Sequence, residues 1–172
     1  MAATARRQQL ERDLREAVLQ QQFVLHYQPK VNMRTGALVG VEALVRWQHP
    51  TQGLMPPVRF IPLAEESDLI VALGDWILRE GCRQMAQWAA LTPGAHWRLA
   101  INVSARQFLQ EDFVAQVLAL VQQTGANPAQ IKLELTESLL LSDVEDAVQK
   151  MGELRAIGVG FSLDDLDRKS VV

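Results

Sequence analysis

The sequence holds a single cysteine, Cys82, in 172 residues. That excludes an internal disulfide and a cysteine-built zinc centre, and it fits a reducing, cytoplasmic setting. No apolar run approaches the ~20 residues that a membrane span requires. The N-terminus is charged from Arg6 onward, so it lacks the apolar core of a secretory signal peptide. Net charge is −3 and no Lys/Arg run occurs, which argues against DNA or RNA as a partner. Local basic groups remain enough to hold a small phosphodiester. Internal repeats and low-complexity segments are also missing. What remains is an ordinary globular composition, 48% hydrophobic and 22% charged, in one domain's worth of chain.

Against that background five short apolar segments stand out, each with polar residues on one alternating face. Phe23, Leu25 and Tyr27 oppose Val24, His26 and Gln28. Val39, Val41, Ala43 and Val45 oppose Glu42, Leu44 and Arg46. Leu99, Ile101 and Val103 oppose Ala100, Asn102 and Ser104. Ile131, Leu133 and Leu135 oppose Lys132, Glu134 and Thr136, and Val159, Phe161 and Leu163 oppose Gly160, Ser162 and Asp164. Side chains alternate across a strand, so the apolar sets face a covering layer and Gln28, Glu42, Arg46, Asn102, Glu134 and Asp164 share one interior. Gathering carboxylates costs several kcal/mol per ion unless cations compensate. The pattern reads as a metal site.

The first two strands flank Asn32-Met33-Arg34-Thr35-Gly36, which predicts an antiparallel hairpin. A loop rich in proline and glycine follows from Pro50 to Pro62. Three helices then alternate with the remaining strands. The first is capped by Ser67 and Asp68, the second runs from Glu111 to Thr124 and stops at Gly125, and the third opens on a Ser142–Glu145 capping box. Residues from about Ala5 to Gln22 form a charged helix whose narrow stripe, Leu10, Leu14 and Val18, suits a connector or lid. The fold class is therefore α/β, with parallel strands after the hairpin.

Mg²⁺ and Mn²⁺ prefer oxygen ligands, which Glu42, Asn102, Glu134 and Asp164 offer, with Asp165 beside the last. The competing reading of any one of them is a strand-end residue that faces solvent. Arg46 suits a phosphate oxygen, or equally a salt bridge to Glu42 or Glu134. Gln28 suits a base or ribose edge, or a loop hydrogen bond. Glu137 reads as a loop anchor. The histidines have no ligand spacing and read as structural, and the four tryptophans read as packing residues.

Six motifs in order resemble one family: Tyr27-Gln28-Pro29, Glu42-Ala43-Leu44-Val45-Arg46-Trp47, Phe60-Ile61-Pro62-Leu63-Ala64-Glu65, Asn102-Val103-Ser104, Glu134-Leu135-Thr136-Glu137-Ser138 and Asp164-Asp165. The chain resembles the bacterial EAL domain, which hydrolyses cyclic di-GMP to the linear dinucleotide pGpG. The resemblance implies an incomplete TIM-type (β/α) barrel with its first strand antiparallel and about five strands present. It implies Glu42, Asn102, Glu134 and Asp164 as ligands of Mg²⁺ or Mn²⁺, with Asp165 serving a second metal. It places Gln28, Leu44 and Arg46 on the dinucleotide, and Glu137 as the residue that steadies a loop. Residues 1–22 would be a connector helix, 23–165 the N-terminal part of the domain and 166–172 a divergent tail. The family's lysine and glutamate from two later strands have no counterpart, so the expectation for this chain alone is little or no activity. A homo-oligomer formed through open sheet edges is expected, with Leu44, Ala100 and Phe161 near poorly covered surface. The alternative is a non-catalytic cyclic di-GMP-binding or dimerisation module.

Overall fold

In the structure, a computed structural model, residues 2–164 are described. Strands β1 (Phe23–Val31) and β2 (Leu38–His49) form the antiparallel hairpin. Its turn is organised by Asn32, whose side-chain oxygen accepts from the amides of Arg34 at 2.8 Å and Thr35 at 3.2 Å, an Asx-type turn. A three-residue strand, β3 (Gly53–Met55), folds back on the end of β2. β4 (Arg98–Val103), β5 (Ile131–Thr136) and β6 (Gly160–Asp164) then add in parallel, in the order β1-β2-β4-β5-β6. Among the described residues the sheet is unclosed, with β1 and β6 as its outer strands.

The helices are α1 (Ala2–Gln20), α2 (Ile61–Glu66), α3 (Leu69–Leu91), α4 (Ala105–Phe108), α5 (Phe113–Thr124) and α6 (Val144–Ala156). Leu99, Ile101 and Val103 of β4 and Ile131, Leu133 and Leu135 of β5 are buried, and they join Leu73, Ile77 and Leu78 of α3 in one core. A Cβ on Gly81 would lie 2.9 Å from Ile101 Cδ1. The lack of a side chain there is what lets α3 lie close on β4.

Three elements occupy segments that read as loops: β3, α2 and α4. The first is too short for an alternation to show. The second carries Pro62 in its first turn, where the missing amide costs nothing. The third is one turn, capped by Ser104 Oγ accepting from the Gln107 amide at 3.1 Å. Two caps also differ from expectation. Asp68 sits at the start of α3 with φ 64° and makes no cap; its carboxylate takes the Arg106 guanidinium at 2.7 Å instead. At α6 the cap is Asp143, accepting from the Asp146 amide at 3.2 Å, in place of the Ser142–Glu145 box. Ala100 is buried rather than poorly covered. Phe161 is half-buried, packed edge-on to Phe108 with Arg155 over its ring.

The charged helix α1 is stitched down firmly. Leu14 and Ala17 are fully buried, and Gln22 just beyond it accepts from Trp47 Nε1 at 3.1 Å and, through its carbonyl, from the Gln48 amide at 2.8 Å. His49 Nδ1 accepts the amides of Thr51 and Gln52, both at 3.1 Å. The ring proton therefore sits on Nε2, 2.9 Å from Asp13 Oδ2, and is donated to that carboxylate. The hydrogen bond from His49 holds the Asp13 carboxyl below its ordinary value of 3.8. Because the folded value is the lower one, the stabilisation is complete above that ordinary value and fades as pH falls through the folded one. Urea unfolding of wild type and Asp13→Asn should therefore show a stability gap near pH 5 that shrinks toward pH ~3. A gap that stays constant across that range would contradict the pairing.

Candidate functional site

Strand registers decide which side chains share a face. Gln28 lies opposite Glu42, Glu42 opposite Ala100, Ala100 opposite Lys132, and Asn102 opposite Glu134, which in turn faces Ser162. Asp164 pairs with Thr136. By alternation Gln28, Lys30, Glu42, Leu44, Arg46, Asn102, Glu134 and the Asp164 position all belong to the face opposite the helix-covered core. Asp165 and the segment 166–172 lie outside the described residues.

Glu42 and Glu134 are buried, 8% and 7% exposed. Carboxylates are rarely found at that depth without compensation. Glu42 has it on both oxygens: Asn102 Nδ2 donates to Oε2 at 3.2 Å, and the Lys30 ammonium lies 3.0 Å from Oε1. Among the described residues no three His, Cys, Asp or Glu are grouped as a ready-made metal cluster. The donor set is instead mixed, two carboxylates and an amide. Asn102 Oδ1 is buried and has no hydrogen-bond partner among the described residues. An orphaned acceptor of that kind calls for a missing donor or cation. Hard oxygen atoms from Glu42, Asn102 and Glu134 fit a divalent ion such as Mg²⁺ or Mn²⁺.

The remaining predicted residues are less buried than Glu42 and Glu134. Leu44 is half-buried, and so is Arg46, whose Nη1 donates to the Val45 carbonyl at 2.9 Å. Gln28 is exposed at the β1 edge. Glu137 is exposed at the start of a 3₁₀ turn, 137–141. Cys82 is buried in α3, and burial pushes its thiol up to about 11, so it offers no reactive thiolate.

Sequence reasoning passed over Lys30. Its signal was present, two residues beyond Gln28 on the same alternating face, but Pro29 hid the continuation of the strand. Proline is tolerated on an edge strand, and β1 is one.

Comparison with known proteins follows the same lines. A sequence profile of the EAL domain matches residues 11–171. A bifunctional diguanylate cyclase/cyclic di-GMP phosphodiesterase, MucR of Pseudomonas aeruginosa, is 45% identical over 168 residues, covering 96% of this chain and 24% of MucR. The cyclic di-GMP phosphodiesterase PdeR of Escherichia coli is 40% identical over 156 residues, covering 91% of this chain and 23% of PdeR. Among solved structures, the PaMucR phosphodiesterase in complex with c-di-GMP superposes with a TM-score of 0.85 at 44% identity, over 91% of this chain and 63% of that one. The chain thus spans about a quarter of the length of these two curated relatives. No described helix is long and apolar enough to cross a membrane. With one profile running almost from end to end and relatives this similar, the chain belongs to the EAL domain family.

Proposed function

We propose that this chain carries the metal-binding half of a cyclic di-GMP phosphodiesterase site, formed by Glu42, Asn102, Glu134, Asp164 and Asp165. The observation that supports it most is the buried Asn102 oxygen without a partner, on the amide whose nitrogen already holds Glu42. Bound Mg²⁺ or Mn²⁺ would supply an activated water and neutralise charge on the phosphorus oxygens. Asn102 fixes the Glu42 rotamer by donating from Nδ2, which leaves its own oxygen free for a cation. Arg46 offers a planar fork to a phosphate oxygen after releasing the Val45 carbonyl. Leu44 gives apolar contact beside it, and Gln28 at the exposed edge offers an amide to a base or ribose. Glu137 steadies the loop that follows.

In this reading residues 1–22 form a connector helix and 23–165 the N-terminal part of the domain, in the cytoplasm. Alone, the 172 residues bind the ion and the dinucleotide weakly and turn it over negligibly. One observation favours a second reading, a cyclic di-GMP-binding or self-association module. Among the described residues the outer strands of the sheet, β1 and β6, are unclosed, and Val31 and Leu163 are exposed along them, which invites homo-oligomers by edge pairing.

Calorimetric titration with Mn²⁺ and then cyclic di-GMP, beside a turnover assay, tests the proposal. Binding of cyclic di-GMP should require Mn²⁺, weaken at least about fivefold in Asn102→Leu, and leave the dinucleotide intact. Mn²⁺ affinity unchanged by Asn102→Leu would defeat the ligand assignment, and pGpG formation would defeat the inactivity.

A further inference from the structure

Glu42 is served by a group that neither composition nor motif singles out. Lys30 lies opposite Gly40 in the β1–β2 register while Gln28 lies opposite Glu42, so Lys30 and Glu42 are diagonal cross-strand neighbours, within reach of a long side chain. The residue facing Lys30 has no side chain to compete for the space, and a Cβ at Gly40 would lie 3.0 Å from the Arg98 carbonyl oxygen. The register shifts between Lys30 and Val31, the kind of irregularity that re-aims a strand residue next to a site. The outcome is the 3.0 Å ion pair with Glu42 Oε1.

The two partners are unequal. The Glu42 side chain is 11% exposed and the Lys30 side chain 56%. A carboxylate so deep needs a counter-charge at all times. A half-exposed ammonium on a four-carbon stem can be exchanged for another cation at small cost.

We propose that Lys30 is a positioning residue that serves as the resident counter-ion of Glu42, so that a divalent cation reaches Glu42 by exchanging with the Lys30 ammonium. This rests on the metal reading of the site given above. Two roles follow from one contact. The ammonium keeps the carboxylate oriented while no ion is bound, and it sets a threshold on metal affinity, because it must be displaced and its charge repels the incoming ion.

Free Mn²⁺ measured by its paramagnetic resonance signal, in titrations of the 172-residue chain, reads the affinity without any turnover. Lys30→Met should bind Mn²⁺ roughly three- to tenfold more tightly than wild type, since no cation has to leave. Lys30→Arg, which keeps the charge, should stay within about twofold of wild type. A fall in urea midpoint without a change in Mn²⁺ affinity would assign Lys30 a purely structural role and overturn the proposal. Tighter binding in neither Lys30→Met nor Lys30→Gln, with wild type binding normally, would overturn it while leaving the metal site intact. Binding by none of the proteins would remove the metal reading itself, and this inference with it. Binding by the neutral variants alone would support both.

Discussion

Cyclic di-GMP hydrolysis is expected to rise at least about a thousandfold when the chain is continued past Asp165 with a segment of the family's kind, and to return to background when Glu42→Ala is placed in that continued protein. Groups that act as one unit are grossly non-additive, so a site with only part of its set retains almost none of the rate. Glu42, Asn102 and Glu134 lie on adjacent strands β2, β4 and β5 and supply oxygen donors. The resemblance assigns a lysine and a glutamate of the same site to later strands, and the continued protein would supply them. Two-ion hydrolysis also needs a dry, shaped cavity, which the proposed reading assigns to the complete domain. Single-turnover formation of pGpG by the two proteins and by the 172-residue chain provides the comparison. Metal-dependent turnover by the shorter chain, absent from its own Glu42→Ala control, would show that the groups described here suffice.

Trp47→Ala is expected to cost about 3–5 kcal/mol of unfolding free energy, enough to threaten folding outright. Trp47 is fully buried, with ring centroids of Phe23 and Phe60 at 5.8 and 5.7 Å and of His49 at 5.0 Å. Its removal would also strand Gln22 Oε1 and loosen the junction between α1 and the sheet. Leu141→Ala, at a side chain 88% exposed, should shift stability by no more than about 0.5 kcal/mol. Urea unfolding of both variants checks the contrast. A loss below about 1 kcal/mol for Trp47→Ala would mean that the aromatic cluster is not the keystone its burial indicates.

How much was legible follows from the range of each interaction. The alternation of Leu99, Ile101 and Val103 or of Ile131, Leu133 and Leu135 is local, so those strands, their apolar faces and the in-phase positions of Asn102 and Glu134 could be read directly. The hairpin was legible for the same reason, through Asn32 and its neighbours. Lys30 was missed because a proline interrupts the pattern and because its partner is set by register, which periodicity does not give. The Asp13–His49 link was invisible because the two residues are 36 apart in the chain. The narrow apolar stripe of α1 suggested a connector or lid. Its tight seat comes from buried Leu14 and Ala17 together with Gln22, Trp47 and His49, and these last three lie outside the helix.

The strand order has a consequence for how the chain comes into being. After the hairpin each main strand docks on the one made just before it, β4 on β2, β5 on β4, β6 on β5, so the sheet advances along a single growing edge. A chain emerging from the ribosome can therefore lay down each strand–helix unit as it appears, without waiting for a distant partner. The acidic face need not be a liability during that time. Glu42 gains the Lys30 ammonium as soon as the hairpin closes, and Asn102 as soon as β4 arrives. Synthesis thus supplies the compensation in step with the charge.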